Sequence, residues 1–212
     1  MTKSGNILYL DEYRQNLKPI ETRVLWKDFP PVFIFAPLGT AKKHKHYEKA
    51  KKECNAISAI QLVHDVVKEE KLEELRRIIN SNQPVVVPVQ AKEEFGVNKI
   101  PAAFAYYVAT KLDFELCDNI VVANMPMRTD KNAFYRLSQY PIFTGKVLSK
   151  QQYIIADDTL TMGGTLASLR GFIENNGGNV ILSVALTGHP GAASLNIKEE
   201  MLRAIYNRVV AQ

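Results

Sequence analysis

Asp157 and Asp158 stand side by side, directly after four strand-prone residues (153–156) and just ahead of a turn rich in Thr and Gly (161–165). A turn of that kind between a strand and a helix gathers backbone N–H groups at the positive end of the helix dipole, which suits a phosphate. Thr161 and Thr165 can add hydroxyl donors, Met162 adds only its backbone, and Gly163 and Gly164 let the chain approach an anion closely. Two carboxylates beside such a cradle would repel a phosphate unless they meet another part of the same ligand. Sugar hydroxyls are the natural candidates, because carboxylates accept hydrogen bonds from them, and the same acids could help to hold Mg²⁺ near a diphosphate. Neither GxxxxGK[ST] nor GxGxxG occurs here, so the common nucleotide-binding fingerprints are excluded.

The elements that must position these residues follow from the hydrophobic pattern. "PVVVPV" (84–89), "NIVVA" (119–123), "YIIA" (153–156) and "NVILSVAL" (179–186) are continuous apolar runs of the kind that parallel strands show when both faces are covered. Helical patterns alternate with them at 100–112, with Pro101 in the first turn, and at 165–176, stopped by Gly177 and Gly178. Another helix is expected at 196–210. Earlier, 31–39 is a buried-strand candidate, and amphipathic helices are expected within 54–67 and at 70–79. Strands alternating with helices predict an α/β fold around a parallel sheet. The long polar stretch 124–150 suits a lid, with a β-hairpin as one way of folding its end.

The chain has 212 residues, 46% of them hydrophobic and 23% charged, an ordinary globular composition. Its net charge of +5 favours an anionic partner without choosing among metabolite, nucleic acid and surface. Two cysteines are too few for a disulfide framework and suit a reducing compartment. The opening residues lack a secretory leader's apolar run and no segment reaches membrane-spanning length, so a cytoplasmic protein with no membrane partner is expected.

The 13 residues "YIIADDTLTMGGT" (153–165) resemble the PRPP motif of type I phosphoribosyltransferases, where PRPP is 5-phosphoribosyl 1-diphosphate. That resemblance implies a Rossmann-like α/β core at 83–212, with residues 1–82 as a small N-terminal hood or cap of the same domain. It implies that Asp157 and Asp158 are the catalytic-site acids that hold the ribose hydroxyls, with Mg²⁺ directly or indirectly on them. Residues 161–165 would hold the 5′-phosphate. A diphosphate loop after the first core strand would fall at Gln90, Ala91 and Lys92, although Glu93 and Glu94 oppose an anion there. Arg128, Lys131 and Arg136 become lid candidates, and His189 a candidate for the base pocket. The implied activity is Mg²⁺-dependent transfer of the phosphoribosyl group to a nitrogenous base with release of diphosphate, in a homodimer. Thr161 stands where the 6-oxopurine enzymes carry an Asp, which disfavours a hypoxanthine–guanine enzyme.

The segment 95–109 is loosely similar to the ComF-like branch of the family, which makes an accessory protein of that kind one alternative. A PRPP-sensing regulator that binds nucleic acid is another. The basic run 42–53, with His44 and His46, is open to nucleic acid, but a solvated helix face is the commoner explanation. The i, i+2 spacing of these histidines gives no zinc set.

Overall fold

The apolar runs become a four-stranded parallel sheet in the computed structural model, which describes residues 24, 26–79, 83–90, 98–123 and 141–195, with the backbone of 92–93 and 96–97. In chain order the elements are β1 (Phe33–Pro37), α1 (Tyr47–Lys51), α2 (Ala56–Val66), α3 (Glu69–Ile78) and β2 (Val85–Pro88). A short ribbon, β3 (Lys92–Glu93) and β4 (Gly96–Val97), precedes α4 (Ile100–Leu112). Then come β5 (Val121–Val122), β6 (Phe143–Thr144), β7 (Gln152–Leu160), α5 (Gly164–Asn175) and β8 (Asn179–Gly188). The sheet order is β1-β8-β7-β2, so the strand that carries the twin acids lies inside the sheet.

Side chains leave a strand to alternate faces, and both faces here are apolar. Phe33, Phe35, Val86, Ile154, Ala156, Leu182 and Val184 meet α2, α3 and α4 on one face. Val85, Val87, Tyr153, Ile155, Val180 and Ala185 meet α5, Trp26 and Phe143 on the other. The result is a three-layer α/β/α arrangement, which is the expected fold class. On the first face Phe104 of α4 is fully buried and meets Phe35 edge-to-face at 5.2 Å. Helix α4 begins at Ile100 with Pro101 in its first turn, where proline's missing N–H costs nothing. Helix α5 stops before Gly177, whose φ of +86° only glycine adopts readily.

Three expectations are corrected. "NIVVA" does not form a second strand of the parallel sheet: only Val121 and Val122 are extended, paired antiparallel with Phe143 and Thr144. The hairpin expected at the end of the polar stretch is therefore this β5–β6 ribbon, and β7 pairs with β2 and β8 instead. The division at 82/83 cuts through the sheet, because β1 lies in the expected hood yet pairs with β8 from Phe33↔Val184 to Pro37↔Gly188. The helix expected at 196–210 lies outside the described residues. Among the described residues no helix is long and apolar enough to cross a membrane.

Replacing Phe104 by Ala should lower the unfolding free energy by about 3–5 kcal/mol, the usual result of emptying a buried aromatic site. Urea denaturation followed by circular dichroism measures it, and a loss below about 1 kcal/mol would show that the packing around Phe104 is not the core assigned here.

Candidate functional site

Strand β2 pairs with β7 only as far as Pro88↔Ala156, where the Val89 N–H still donates to the Ala156 carbonyl at 2.8 Å. Strand β8 continues alongside β7, through Asp157↔Ala185 and Thr159↔Thr187 to Leu160↔Gly188. Asp157 and Asp158 are thus the first residues of β7 beyond the β2 ladder. After β2 the chain crosses to α4 on one face of the sheet, and after β7 it crosses to α5 on the other. Adjacent parallel strands whose following helices leave to opposite faces open a crevice at their carboxyl ends, the usual place for a ligand in such sheets.

The strand was expected to end at residue 156, with the two acids between it and the turn. They lie within a nine-residue strand, and the turn proper begins after Leu160. Each carboxylate has one oxygen engaged inside the protein. Asp157 Oδ1 accepts the Asp158 N–H at 2.8 Å. Asp158 Oδ2 accepts from Asn98 Nδ2 at 2.7 Å, and Asn98 Oδ1 in turn accepts the N–H of Ile100, the first residue of α4, at 3.0 Å. Thr187 Oγ1 donates to the Asp158 carbonyl at 3.2 Å and lies 3.3 Å from Thr159 Oγ1. Both acids are half-buried.

Desolvation and then the charge of Asp158 push the Asp157 carboxyl well above the ordinary carboxylate range. The Asp158 N–H and the positive charge of Lys51, at the end of α1, act in the opposite direction without cancelling the rise. Lys51 also stands over the Tyr47 ring, 5.7 Å from its centroid. Helix α1 is tied to this end of the molecule by the Lys99 N–H, which reaches the Ala50 carbonyl at 3.4 Å.

The turn after β7 has the form expected of an anion cradle. Thr161 and Met162 are exposed, and Gly163 has φ +67° in the left-handed region that glycine favours. A Cβ on Gly163 would come within 2.3 Å of both Leu195 methyl carbons, a side-chain end that can shift, so it is the φ that calls for glycine. Gly164 and Thr165 begin α5.

The remaining expected residues are less closely gathered. The Gln90 carbonyl accepts the Val122 N–H at 3.0 Å, which fixes the loop after β2 next to β5. Ala91 and the side chain of Lys92 lie outside the described residues, as do Arg128, Lys131 and Arg136. His189 stands exposed just past β8, where its Nδ1 accepts the Gly191 N–H at 3.0 Å in a turn. Reading from the sequence singled out neither Asn98 nor Lys51; the only signal available was a polar residue just before a helix and one lysine in a run of six.

No family model matches the chain. It is similar to protein TraN of Escherichia coli, 42% identical over 183 residues that cover 86% of this chain and 41% of TraN. An uncharacterized protein of Haemophilus influenzae is 38% identical over 154 residues, 72% of this chain and 34% of that protein. The chain thus spans less than half the length of these curated relatives. Among solved structures, adenine phosphoribosyltransferase of Rhodothermus marinus matches with a TM-score of 0.41 at 14% identity, over 62% of this chain and 70% of that one. Orotate phosphoribosyltransferase of Mycobacterium tuberculosis matches with a TM-score of 0.35 at 17% identity, over 73% and 69%. These values are too low to carry an activity to this chain.

The raised Asp157 fixes the sign of a pH effect. A carboxyl held higher in the folded state than in the unfolded chain stabilises the fold below the unfolded value, and that contribution is lost as pH rises through the folded one. Asp157→Asn, which keeps an acceptor for the Asp158 N–H, should therefore raise the Tm of the unliganded protein at pH 8 and change it little near pH 4. Calorimetric melting across that range measures it, and a gap that does not widen with pH would contradict the assignment.

Proposed function

We propose that this chain binds PRPP at the carboxyl end of β7 and transfers its phosphoribosyl group to a nitrogenous base. One observation carries this reading: two adjacent carboxylates, each with an oxygen fixed within the protein, stand in the sheet crevice three residues before a glycine turn that opens a helix. A phosphorylated sugar with adjacent hydroxyls matches both halves. The hydroxyls donate to Asp157 and Asp158, and the phosphate accepts from the backbone of 161–165. The diphosphate would lie toward the loop at 88–92, next to the acids through the β2–β7 ladder.

Mg²⁺ fits as a shared ion. Among the described residues no group of three or more His, Cys, Asp and Glu side chains could hold a metal. Asp157 and Asp158 would supply part of the shell, with ligand oxygens and water completing it, as is usual for this cation. When bound, it neutralises diphosphate charge. The chain's own work is positioning. The acids orient the sugar, the glycine turn anchors the phosphate, and the crevice limits water around the reacting carbon.

A second reading, a PRPP-responsive regulator on nucleic acid, is favoured by the basic segment. Lys42, Lys43, Lys45, Lys49 and Lys52 are all exposed on the turn around α1 and on α1's flank, near the same end of the molecule. It predicts tight, strongly salt-dependent nucleic-acid binding without turnover.

Changing both acids, Asp157→Asn with Asp158→Asn, should weaken PRPP binding by about 1–3 kcal/mol for each charge-assisted hydrogen bond lost. Isothermal titration with PRPP and Mg²⁺, followed by a diphosphate-release screen against a panel of nucleobases, tests the site and the activity together. Release with one base names the acceptor, binding without release favours the regulator, and no binding by the unaltered protein overturns the reading.

A further inference from the structure

Asn98 is 6% exposed, yet it is a polar residue at the rim of an open crevice. Both ends of its amide are used. Nδ2 donates to Asp158 Oδ2 across 60 residues of sequence, and Oδ1 accepts the Ile100 N–H. It directly follows β4, which closes the ribbon leading from the loop after β2. The local bond to the Ile100 N–H does not by itself call for a buried amide, because Ser or Asp could accept it equally well. Only a side chain that presents an acceptor to the helix and a donor to the acid meets both demands, and at this reach that is Asn.

We infer that Asn98 is a positioning residue for sugar recognition: it fixes the rotamer of Asp158 so that the carboxylate turns its other oxygen, Oδ1, toward the ligand. The inference rests on the proposed PRPP site. A carboxylate fixed through one oxygen loses rotational freedom before the ligand arrives, so less ordering remains to be done on binding. Asp157 is fixed in the same way by a backbone N–H. Asp157 and Asp158 then meet a ligand from consecutive positions on the strand, with one oxygen of each already held by the protein. Asn98 also makes Asp158 answer to the start of α4, and hence to the segment where the diphosphate is expected.

Two variants separate the local bond to Ile100 from positioning. Asn98→Asp keeps an acceptor for the Ile100 N–H but loses the donor and sets a third carboxylate against Asp158. Asn98→Ser keeps a short acceptor that cannot reach Asp158. Both should fold, Asn98→Asp with a Tm lowered at pH 8 and recovering toward pH 5 as the added buried charge is neutralised, and both should bind PRPP about tenfold more weakly at pH 8. For Asn98→Asp alone, affinity should recover toward pH 5, as a proton on the introduced carboxyl restores an O–H donor to Asp158. A merely structural residue would give no such pH-selective rescue. Carboxyl-detected NMR on the unliganded proteins supplies a second readout, in which the Asp158 resonance should shift in both variants. Unchanged PRPP affinity in both variants, or a loss in Asn98→Asp that is equal at all pH values, overturns the inference. An unmoved Asp158 resonance overturns it whether or not PRPP binds. Failure of the parent protein to bind PRPP removes the ligand reading, and an Asp158 shift in that case identifies the contact as structural only.

Discussion

The unequal lengths of the two ladders on β7 set the rest of the site. The strand is bonded on both sides up to Ala156 and on one side from Asp157 onward, because β2 turns away after Pro88 while β8 continues to Gly188. A carboxylate placed one residue earlier would sit between two paired strands with no room for a ligand. Placed a few residues later, it would be in the turn and free to rotate. At 157 and 158 the backbone is still fixed by β8, so the side chains have defined origins, while the β2 side is open. The opposite departures of α4 and α5 widen that opening into a crevice.

This placement has an energetic consequence. Two like charges on consecutive residues, half-buried and next to the Asn98 amide, disfavour the unliganded state. Burial, and after it the neighbouring Asp158 charge, raise the affinity of Asp157 for a proton. A ligand that brings hydroxyl donors or a cation relieves the same repulsion on binding. The repulsion is a local instability in a rigid frame, and the large apolar layers on both faces of the sheet tolerate it. Lys51 moderates the repulsion from the side of α1, which gives the N-terminal helices an electrostatic part in a site built by the sheet.

Much of the frame was legible in the sequence because it is governed by local rules. Helix α4 was expected at 100–112 and is found there, since Pro101 marks its first turn and apolar residues run through it. The runs at 84–89 and 179–186 are long, apolar and bounded, and they become β2 and β8. "NIVVA" has the same composition but a different fate. Ile120 is buried, but the next two residues pair with Phe143 and Thr144, and a short apolar run cannot reveal which partner it will meet. The end of β7 was misplaced for a related reason. "DDTL" has turn composition, and it is held extended by Ala185, Thr187 and Gly188, partners that only the fold supplies. Strand β1 was recognised as a strand but assigned to the hood, because its pairing with β8 spans about 150 residues of sequence.

The candidate site divides along the same line. Asp157, Asp158 and the glycine turn belong to one continuous segment, so their association could be read directly. Asn98 has its partner 60 residues away, and Lys51 acts from a helix whose lysines look alike in sequence. Residues that touch the ligand can be carried by a short contiguous stretch, because one strand end and one helix start lie within a single ligand's length of each other. The strand braces one of its own acids, through the Asp158 N–H on Asp157, but the other is held from elsewhere. Support for Asp158 comes from the element beside the strand, here Asn98 before α4. The same geometry that lets a short motif announce the site ensures that the motif contains only its exposed half.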